Sequence, residues 1–308
     1  MPVSDPDLLV DRRRLKRQVS FWRVLALLAL VGVVGVGLGR IGWLERPHVA
    51  RLTVDGVIVD DPDRNRAVAE AARDPDVTAL IVRIDSPGGT IVGGESLYRE
   101  LRAAASQKPV VAVMSELAAS GGYMVALAAE HIIAREGTIT GSIGVLMQTT
   151  DVTGLLGKLG IATEAIKSSP LKAVPSPLEP LTDQGRAATR LLIDDMYNMF
   201  VDMVAERRQM DRAQATRIAD GRVYTGRQAK ALGLIDALGG EEEARTWLAA
   251  KGIAADLPIR DLKIQRPEES WSDLVGAAVS ALTGKTYLSE RLKLDGLLAL
   301  WHPDLSAR

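Results

Sequence analysis

Residues 79–89 read Ala-Leu-Ile-Val-Arg-Ile-Asp-Ser-Pro-Gly-Gly, and this stretch decides the fold class. The apolar run over 79–84 is typical of a short buried strand. Asp85-Ser86-Pro87-Gly88-Gly89 follows directly and predicts a tight turn from that strand into a helix. Two successive glycines at such a turn can direct backbone N–H groups into a cleft, where they suit an anion or a developing oxyanion. A purely structural turn explains the same residues, and this motif by itself leaves both interpretations open.

Strands and helices alternate on both sides of this stretch. The sequence predicts further strands at 50–59, with a turn at Asp55-Gly56, and at 110–114, 131–134 and 161–166, and it predicts helices at 64–73, 95–105 and 120–129. A long helix capped by Thr182 runs to about residue 209, and a shorter one is capped by Thr225 and stops at Gly233. This alternation predicts an α/β fold with a largely parallel sheet.

The N-terminal segment is first basic and then apolar. Six basic residues precede the apolar run 24–39, namely Arg12, Arg13, Arg14, Lys16, Arg17 and Arg23. With the flanking residues, the stretch 21–43 is about long enough to cross a hydrocarbon core of ~30 Å. The basic cluster is expected to stay cytoplasmic, which places the remainder of the chain outside the cytoplasm. A cleaved signal peptide is the alternative, although residues 36–40 do not form a convincing small-x-small cleavage site.

Composition excludes several classes of chemistry. The chain has 308 residues and a formal net charge of −1, which argues against nucleic acid as the main partner. It has no cysteine, so a thiolate nucleophile, a disulfide and a cysteine-ligated metal are excluded. The three histidines, His48, His131 and His302, do not lie in polar loops near a carboxylate motif, which disfavours a Ser-His-Asp triad. No metal-binding His-x-x-x-His pattern occurs, and we predict neither a metal nor another cofactor.

A serine lies at a second strand-to-helix junction. Ala119-Ser120-Gly121-Gly122-Tyr123 follows the strand predicted at 110–114. A serine in the first turn of a buried helix lies in a positive local field, and its small neighbours let a substrate backbone come close. An N-cap serine followed by packing glycines explains the motif equally well. Leu117, Tyr123 and Met124 are candidates for an apolar substrate pocket, with core packing as the alternative.

Two lysines lie in a proline-rich loop that follows the strand predicted at 161–166. The loop begins Lys167-Ser168-Ser169-Pro170-Leu171-Lys172. A lysine acts as a general base only when neutral, so its pKa must fall by roughly three units from about 10.4. That shift corresponds to about 4 kcal/mol of disfavoured charge, which requires a buried pocket. A solvated loop is the ordinary explanation for such a sequence.

Taken together, these features resemble the signal peptide peptidase A (protease IV) family of Ser-Lys peptidases. The resemblance extends from about residue 49 to residue 240 and includes the N-terminal anchor. It rests on Asp85-Ser86-Pro87-Gly88-Gly89, Lys108-Pro109-Val110, Ala119-Ser120-Gly121-Gly122-Tyr123, Gly141-Ser142-Ile143-Gly144-Val145 and Asp220-Gly221-Arg222-Val223-Tyr224-Thr225-Gly226.

The resemblance implies roles for individual residues. Ser120 matches the nucleophile, and Lys172 matches the general base of the short, single-domain members. Ser142 matches a serine that orients this lysine, while the N–H groups of Gly89 and Gly121 match the oxyanion hole. The family commonly has glycine where this chain has Ser169, so Lys167 remains the alternative base.

The resemblance also implies the architecture and the partners. The fold is expected to be Clp protease/crotonase-like, built from repeated ββα units and preceded by one transmembrane helix. We expect a cytoplasmic basic N-terminus at 1–20, an anchor at 21–43, a Ser-Lys peptidase domain at 47–266 and an extension at 267–308. The resemblance implies a homo-oligomer resembling an octameric ring or dome. It also implies a single-pass protein of the cytoplasmic (inner) membrane with a periplasmic catalytic domain.

The reaction that the resemblance implies is hydrolysis of peptide bonds through an acyl-enzyme. The expected substrates are signal peptides left in the membrane, or other hydrophobic peptides. Three alternatives remain at this point. One is an acyl-CoA enzyme of the crotonase type, with Gly88-Gly89 holding a thioester carbonyl. The others are a non-catalytic membrane scaffold with the same fold and a membrane serine protease that acts on a protein.

Overall fold

The computed structural model describes residue 19, residues 21–30, residues 47–265 and the backbone of residues 298–300. The chain divides into two compact units, Met1–Pro47 and His48–Arg308. In the first unit, residues 21–30 are helical and expose their large apolar side chains. Within the described residues, no helix has both the length and the apolar character that a membrane span requires. The rest of the predicted anchor, residues 31–43, lies outside the described residues, as does most of the extension at 267–308.

The second unit alternates strands and helices along the chain. Its first half contains β1 (His48–Ile58), α1 (Pro62–Arg73), β2 (Val77–Thr90), α2 (Ile91–Ala105), β3 (Val110–Ala119), α3 (Gly121–Ala126), β4 (His131–Ala134), β5 (Ile139–Gly141) and α4 (Thr153–Lys158). The remainder contains α5 (Asp183–Arg207), α6 (Arg212–Ile218), β6 (Val223–Thr225), α7 (Gly226–Ala231), β7 (Ala237–Leu238), α8 (Glu241–Ala250), β8 (Ile259–Asp261) and β9 (Leu298–Leu300).

The described strands form one sheet. Its main path runs β6-β5-β3-β2-β1-β8, while β4 pairs with both β3 and β7, and β9 pairs with β2. The ladders that join β1, β2, β3, β4, β5, β7 and β8 are parallel, whereas β5–β6 and β2–β9 are antiparallel. The predicted α/β fold with a largely parallel sheet is therefore confirmed.

Both faces of the central strands are buried. In β2, Leu80, Val82 and Ile84 belong to the larger core, which also takes in apolar residues of α1, α2, α3 and α5. Ala79 and Ile81 point to the other face, into a smaller cluster that includes residues of α8. Burial on both faces explains why the sequence of this strand is almost continuously apolar.

The turn predicted at 85–89 is wrong, because β2 continues through these residues to Thr90. The ladder with β1 persists there, with Val57 opposite Gly88 and Ile58 opposite Gly89 after a register shift. The turn predicted at Asp55-Gly56 is likewise a register shift within a continuous β1. Tertiary pairing thus extends the two strands past residues that would otherwise interrupt them.

The strand predicted at 161–166 is also wrong. These residues form no regular element, they are all exposed, and Ile166 is 98% exposed. The predicted caps are confirmed: the Thr182 side chain accepts a hydrogen bond from the Gly185 N–H, and Thr225 forms a capping box with Gln228. Gly233 adopts φ +76°, the left-handed conformation expected after a helix end.

Candidate active site

The candidate site lies where β3 separates from β2. The ladder between these parallel strands ends with Ser86 opposite Ala118. β3 pairs with β5 on its other side, where Ala119 lies opposite Gly141. The chain then turns at Ser120 into α3. This divergence leaves one edge of β2 beyond Ser86 without its β3 neighbour, next to Ser120.

Ser120 is held in an unusual backbone conformation. Its φ of 54° and ψ of −117° lie in a region that residues with a Cβ atom seldom occupy. Its N–H donates to the Gly141 carbonyl at 2.8 Å, and its carbonyl accepts from the Met124 N–H at 2.9 Å. The residue is 1% exposed, and its side chain makes no capping hydrogen bond to α3. Capping therefore does not explain the serine, and backbone strain of this kind is concentrated at functional sites.

Close packing requires the glycines around Ser120. A Cβ atom on Gly89 would lie 1.8 Å from the Ile58 carbonyl oxygen, so any side chain there would push β1 and β2 apart. A Cβ atom on Gly122 would lie 3.0 Å from the Ser86 carbonyl oxygen, which limits how closely α3 can approach β2. Gly88 has φ +108°. This conformation is unfavourable for any residue that carries a side chain. The approach of Gly122 to Ser86 therefore brings the motif at 119–123 next to the motif at 85–89.

Three polar side chains satisfy backbone groups where the ladders are irregular. Asp85 accepts a hydrogen bond from the Leu117 N–H at 3.2 Å. The Ser86 hydroxyl donates to the Gly56 carbonyl at 2.6 Å and accepts from the Gly88 N–H at 3.1 Å. The Thr140 hydroxyl donates to the Ala118 carbonyl at 2.7 Å. Sequence reasoning missed these supporting roles. Polar residues beside apolar strands could have indicated them, because buried polar groups are nearly always hydrogen-bonded.

Ser142 lies close to Ser120 through the β5 strand. Its neighbour Gly141 accepts the Ser120 hydrogen bond, while the Ser142 N–H donates to the Arg222 carbonyl at 2.8 Å. Ser142 is buried and has φ +49°. The antiparallel pairing of β5 with β6, in which Thr140 lies opposite Tyr224, joins the motifs at 141–145 and 220–226.

The two lysines differ from each other in their surroundings. Lys172 is exposed, and within residues 47–265 its side chain makes no hydrogen bond to Ser120 or Ser142. Its backbone N–H donates to the Ser169 carbonyl at 3.1 Å. The Lys167 ammonium forms an ion pair with Glu179, and the Lys167 side chain is only 15% exposed. Ser120 and Ser142 are therefore linked through Gly141, whose carbonyl accepts the Ser120 N–H, whereas Lys172 is an exposed residue.

Other side chains considered from the sequence have structural roles. Tyr123 and Met124 are buried in the core, and the Tyr123 hydroxyl donates to the Leu234 carbonyl at 2.8 Å. Burial raises the pKa of this phenol. His131 stacks on Trp247 with ring centroids 5.2 Å apart, and burial lowers the pKa of its imidazole. Among the described residues, no group of His, Cys, Asp or Glu is arranged to hold a metal.

A large set of exposed apolar residues lies between β5 and the middle of α5, and we call it the 146–192 surface. It consists of Leu146, Leu155, Leu159, Ile161, Ile166, Leu171, Leu178, Leu191 and Leu192. Leu191 is 73% exposed. The same stretch of chain carries both Lys167 and Lys172. Exposed apolar residues in such number are typical of a surface that another molecule covers.

Residues 102–254 match the model of peptidase family S49. A relative from Synechocystis sp. (strain ATCC 27184 / PCC 6803 / Kazusa), named as a protease, is 41% identical over 207 residues, which are 66% of this chain and 74% of that protein. A relative from Enterococcus faecium, named as a signal peptide peptidase SppA, is 30% identical over 251 residues, which are 77% of this chain and 71% of that protein.

Among solved structures, the chain is similar to a point mutant of the 1510-N membrane-bound stomatin-specific protease, at 15% identity and a TM-score of 0.49, covering 72% of this chain and 100% of that one. The sequence matches show that the chain is a peptidase. More particularly, the chain belongs to peptidase family S49.

Proposed function

We propose that this peptidase is a membrane-anchored serine endopeptidase with Ser120 as nucleophile and Lys172 as general base. The observation that carries the proposal is the backbone of Ser120, which is strained, buried and located where β3 leaves the edge of β2. A nucleophile on a strained strand-to-helix turn presents its oxygen to a substrate lying along the sheet edge. Membership of a peptidase family supports peptide bonds as the substrate.

The reaction proceeds through an acyl-enzyme. Neutral Lys172 takes the proton of the Ser120 hydroxyl, and the serine oxygen attacks the carbonyl carbon of the scissile bond. The N–H groups of Gly89 and Gly121 stabilise the oxyanion. Lys172 then protonates the leaving amine and activates the water that releases the acyl group, while Ser142 orients the lysine. No metal or other cofactor takes part.

Burial of Lys172 requires a neighbour, because this lysine is exposed in the protomer. A lysine becomes neutral near pH 7 only when it is desolvated. We propose that a homo-oligomer, a ring or dome resembling an octamer, covers the 146–192 surface and buries Lys172 beside a serine site. Lys167 is the less suitable base, since its ammonium is already paired with Glu179.

The proposed substrates are cleaved signal peptides or other hydrophobic peptides. The segment 21–43 anchors the chain in the cytoplasmic membrane, with the N-terminus inside and the catalytic domain in the periplasm. The exposed apolar side chains of helical residues 21–30 and the name of the Enterococcus relative support this placement. An anchored site outside the cytoplasm lies next to hydrophobic peptides that leave the bilayer.

Hydrolysis of an apolar fluorogenic peptide by the full chain in detergent tests the proposal. Ser120→Ala, Lys172→Ala and Lys172→Arg are expected to lose turnover by a factor of about 10³ or more, since arginine keeps the charge but cannot be a base. Lys167→Ala is the matched control and is expected to retain turnover. Full activity in Lys172→Ala would overturn the base, and full activity in Ser120→Ala would overturn the mechanism.

A further inference from the structure

A β-bulge interrupts the β1–β2 ladder beside the candidate site. Asp55 lies opposite Asp85, and the next pair joins Val57 to Gly88. β1 thus contributes one residue to the interval between these pairs, and β2 contributes two. One of the two is Pro87, which has no N–H to give to the ladder. Bulges change the direction of nearby groups and occur often next to active sites, so the ladder alone does not fix the peptide groups of this interval.

The Ser86 hydroxyl makes two hydrogen bonds within this bulge. It donates to the Gly56 carbonyl of β1 at 2.6 Å and accepts from the Gly88 N–H of β2 at 3.1 Å. Ser86 is fully buried, so water does not compete for either bond. The second bond occupies the Gly88 N–H and holds Gly88, whose φ is +108°. Because the next amide along the chain belongs to Gly89, the conformation of Gly88 sets the direction of the Gly89 N–H.

Ser86 also lies against the helix that follows the candidate nucleophile. A Cβ atom on Gly122 would lie 3.0 Å from the Ser86 carbonyl oxygen and 3.5 Å from the Ser86 Cβ atom. Gly122 follows Gly121 in the first turn of α3. The two proposed oxyanion donors belong to different elements, Gly89 to β2 and Gly121 to α3, and Ser86 packs between those elements.

We propose that Ser86 is a positioning residue for the oxyanion hole, whose hydroxyl withholds the Gly88 N–H from the substrate and directs the Gly89 N–H. This inference rests on the proposed function, in which the N–H groups of Gly89 and Gly121 stabilise the oxyanion. Donors that are fixed before the reaction stabilise the transition state more than the bound substrate. Loss of the Ser86 hydroxyl therefore lowers kcat and leaves KM nearly unchanged.

Ser86→Ala and Thr78→Val form a matched pair that tests this role. The Thr78 hydroxyl of β2 donates to the His48 carbonyl of β1 at 3.0 Å, so each variant removes one hydroxyl-to-carbonyl bond between the same two strands. Hydrolysis of an apolar fluorogenic peptide by the full chain in detergent is followed as a function of substrate concentration and pH. In Ser86→Ala, kcat is expected to fall by a factor on the order of 10² at an unchanged KM, whereas Thr78→Val keeps both constants. The midpoint of the pH dependence of kcat is expected to stay the same in Ser86→Ala, because no titrating group has changed.

Hydrogen exchange of the Gly88 amide gives a second readout, which does not depend on hydrolysis. This amide is expected to exchange faster in Ser86→Ala than in the unchanged chain or in Thr78→Val, because only Ser86→Ala removes its acceptor. If the alanine variant does not fold, Ser86→Cys carries the same comparisons, since a thiol occupies similar space but forms only weak hydrogen bonds.

An unchanged kcat in Ser86→Ala, measured while Ser120→Ala is inactive, would overturn the positioning role and leave the proposed function intact. A raised KM at an unchanged kcat, a shifted pH midpoint or an unchanged exchange rate of the Gly88 amide would overturn it as well. Equal losses of kcat in Ser86→Ala and Thr78→Val would show that Ser86 contributes only to stability, which is a further contradiction. Full turnover in Ser120→Ala would overturn the proposed function, and this inference with it.

Discussion

At the scale of single residues, the backbone of Ser120 links the sequence to the proposed chemistry. The sequence and its family resemblance placed a serine between a strand and a helix, and the structure adds a positive φ of 54°. A residue held in such a conformation costs on the order of 1–3 kcal/mol unless it is glycine. Glycine at position 120 would relieve this strain, yet the chain has serine there. This choice is explained by a need for the serine hydroxyl.

This strain predicts a stability difference between two variants that both lack the hydroxyl. Ser120→Gly is expected to be more stable than Ser120→Ala by about 1 kcal/mol. Glycine relieves the backbone strain, and the greater conformational entropy of glycine in the unfolded chain cancels only part of this stabilisation. Urea unfolding of the two proteins measures the difference. Equal stability, or a more stable alanine variant, would show that the Ser120 backbone is not strained.

The lack of space for a side chain at Gly89 predicts a second effect on stability. Gly89→Ala places a Cβ atom 1.8 Å from the Ile58 carbonyl oxygen, so β1 and β2 must separate. We expect a loss of about 2 kcal/mol or more in the free energy of unfolding. Gly137→Ala is the matched control, because nothing lies within 4 Å of the added atom. Similar unfolding midpoints for both variants would contradict the close approach of the two strands.

Much of the candidate site could be predicted from the sequence, and the remainder depended on contacts between distant residues. Ser120 and Gly89 were selected through short motifs whose order along the chain is specific. The supporting hydrogen bond from Leu117 to Asp85 spans 32 residues and forms only because β2 and β3 diverge there. No local pattern contains that information. The exposure of Lys172 was equally inaccessible, since a loop position reveals nothing about burial.

At the scale of elements, sequence patterns predicted the existence of the core strands more accurately than the residues at which those strands end. The strand at 131–134 was predicted with its observed bounds, whereas β2 was predicted to end at residue 84 and continues to Thr90. Pairing with β1 extends β2, and pairing is a tertiary property. The apolar residues at 161–166 satisfied a strand pattern but have no partner strand, and so they remain an exposed segment.

The link between α5 and β4 provides a test at this scale. Arg208 follows α5 and donates two hydrogen bonds to Asp236, which also accepts from the Ile132 N–H of β4 at 2.8 Å. Asp236→Asn leaves the nearly buried guanidinium without its charged partner. We expect a loss of about 2 kcal/mol at neutral pH by urea unfolding. Asp256→Asn, at an exposed position, is the control and is expected to change little.

The pH dependence of this difference follows from the Asp236 carboxyl group. Burial alone would raise its pKa, but the hydrogen bonds and charge of Arg208 outweigh burial and lower it. Its contribution to stability is therefore complete above the ordinary aspartate pKa and is lost as the pH falls through the lowered value. The difference between Asp236→Asn and the unchanged protein should shrink in that acidic range. A difference that grows on acidification would refute this account of the ion pair.

At the scale of the whole molecule, the proposed assembly would account for both the exposed apolar residues and the exposed lysine. Leu191 and its neighbours on the 146–192 surface leave apolar area in water, and Lys172 lies on the same stretch of chain. An interface that buries both would stabilise the oligomer and desolvate the lysine. Assembly and activity are therefore expected to be lost together.

Leu191→Glu tests this coupling. A charge at the interface is expected to reduce the assembled species in sedimentation velocity and to lower peptide turnover in parallel. Leu238→Glu, at an exposed apolar position outside the 146–192 surface, is the control and should leave both unchanged. A monomeric Leu191→Glu protein with full turnover would separate activity from assembly.

The covalent intermediate on Ser120 tests the central claim most directly. The full chain is mixed with an apolar peptide ester, quenched in acid during turnover and examined by mass spectrometry of its proteolytic fragments. The account predicts an acyl adduct on the fragment that contains Ser120, and no adduct in Ser120→Ala. An adduct on a different residue, or steady hydrolysis by Ser120→Ala, would contradict it.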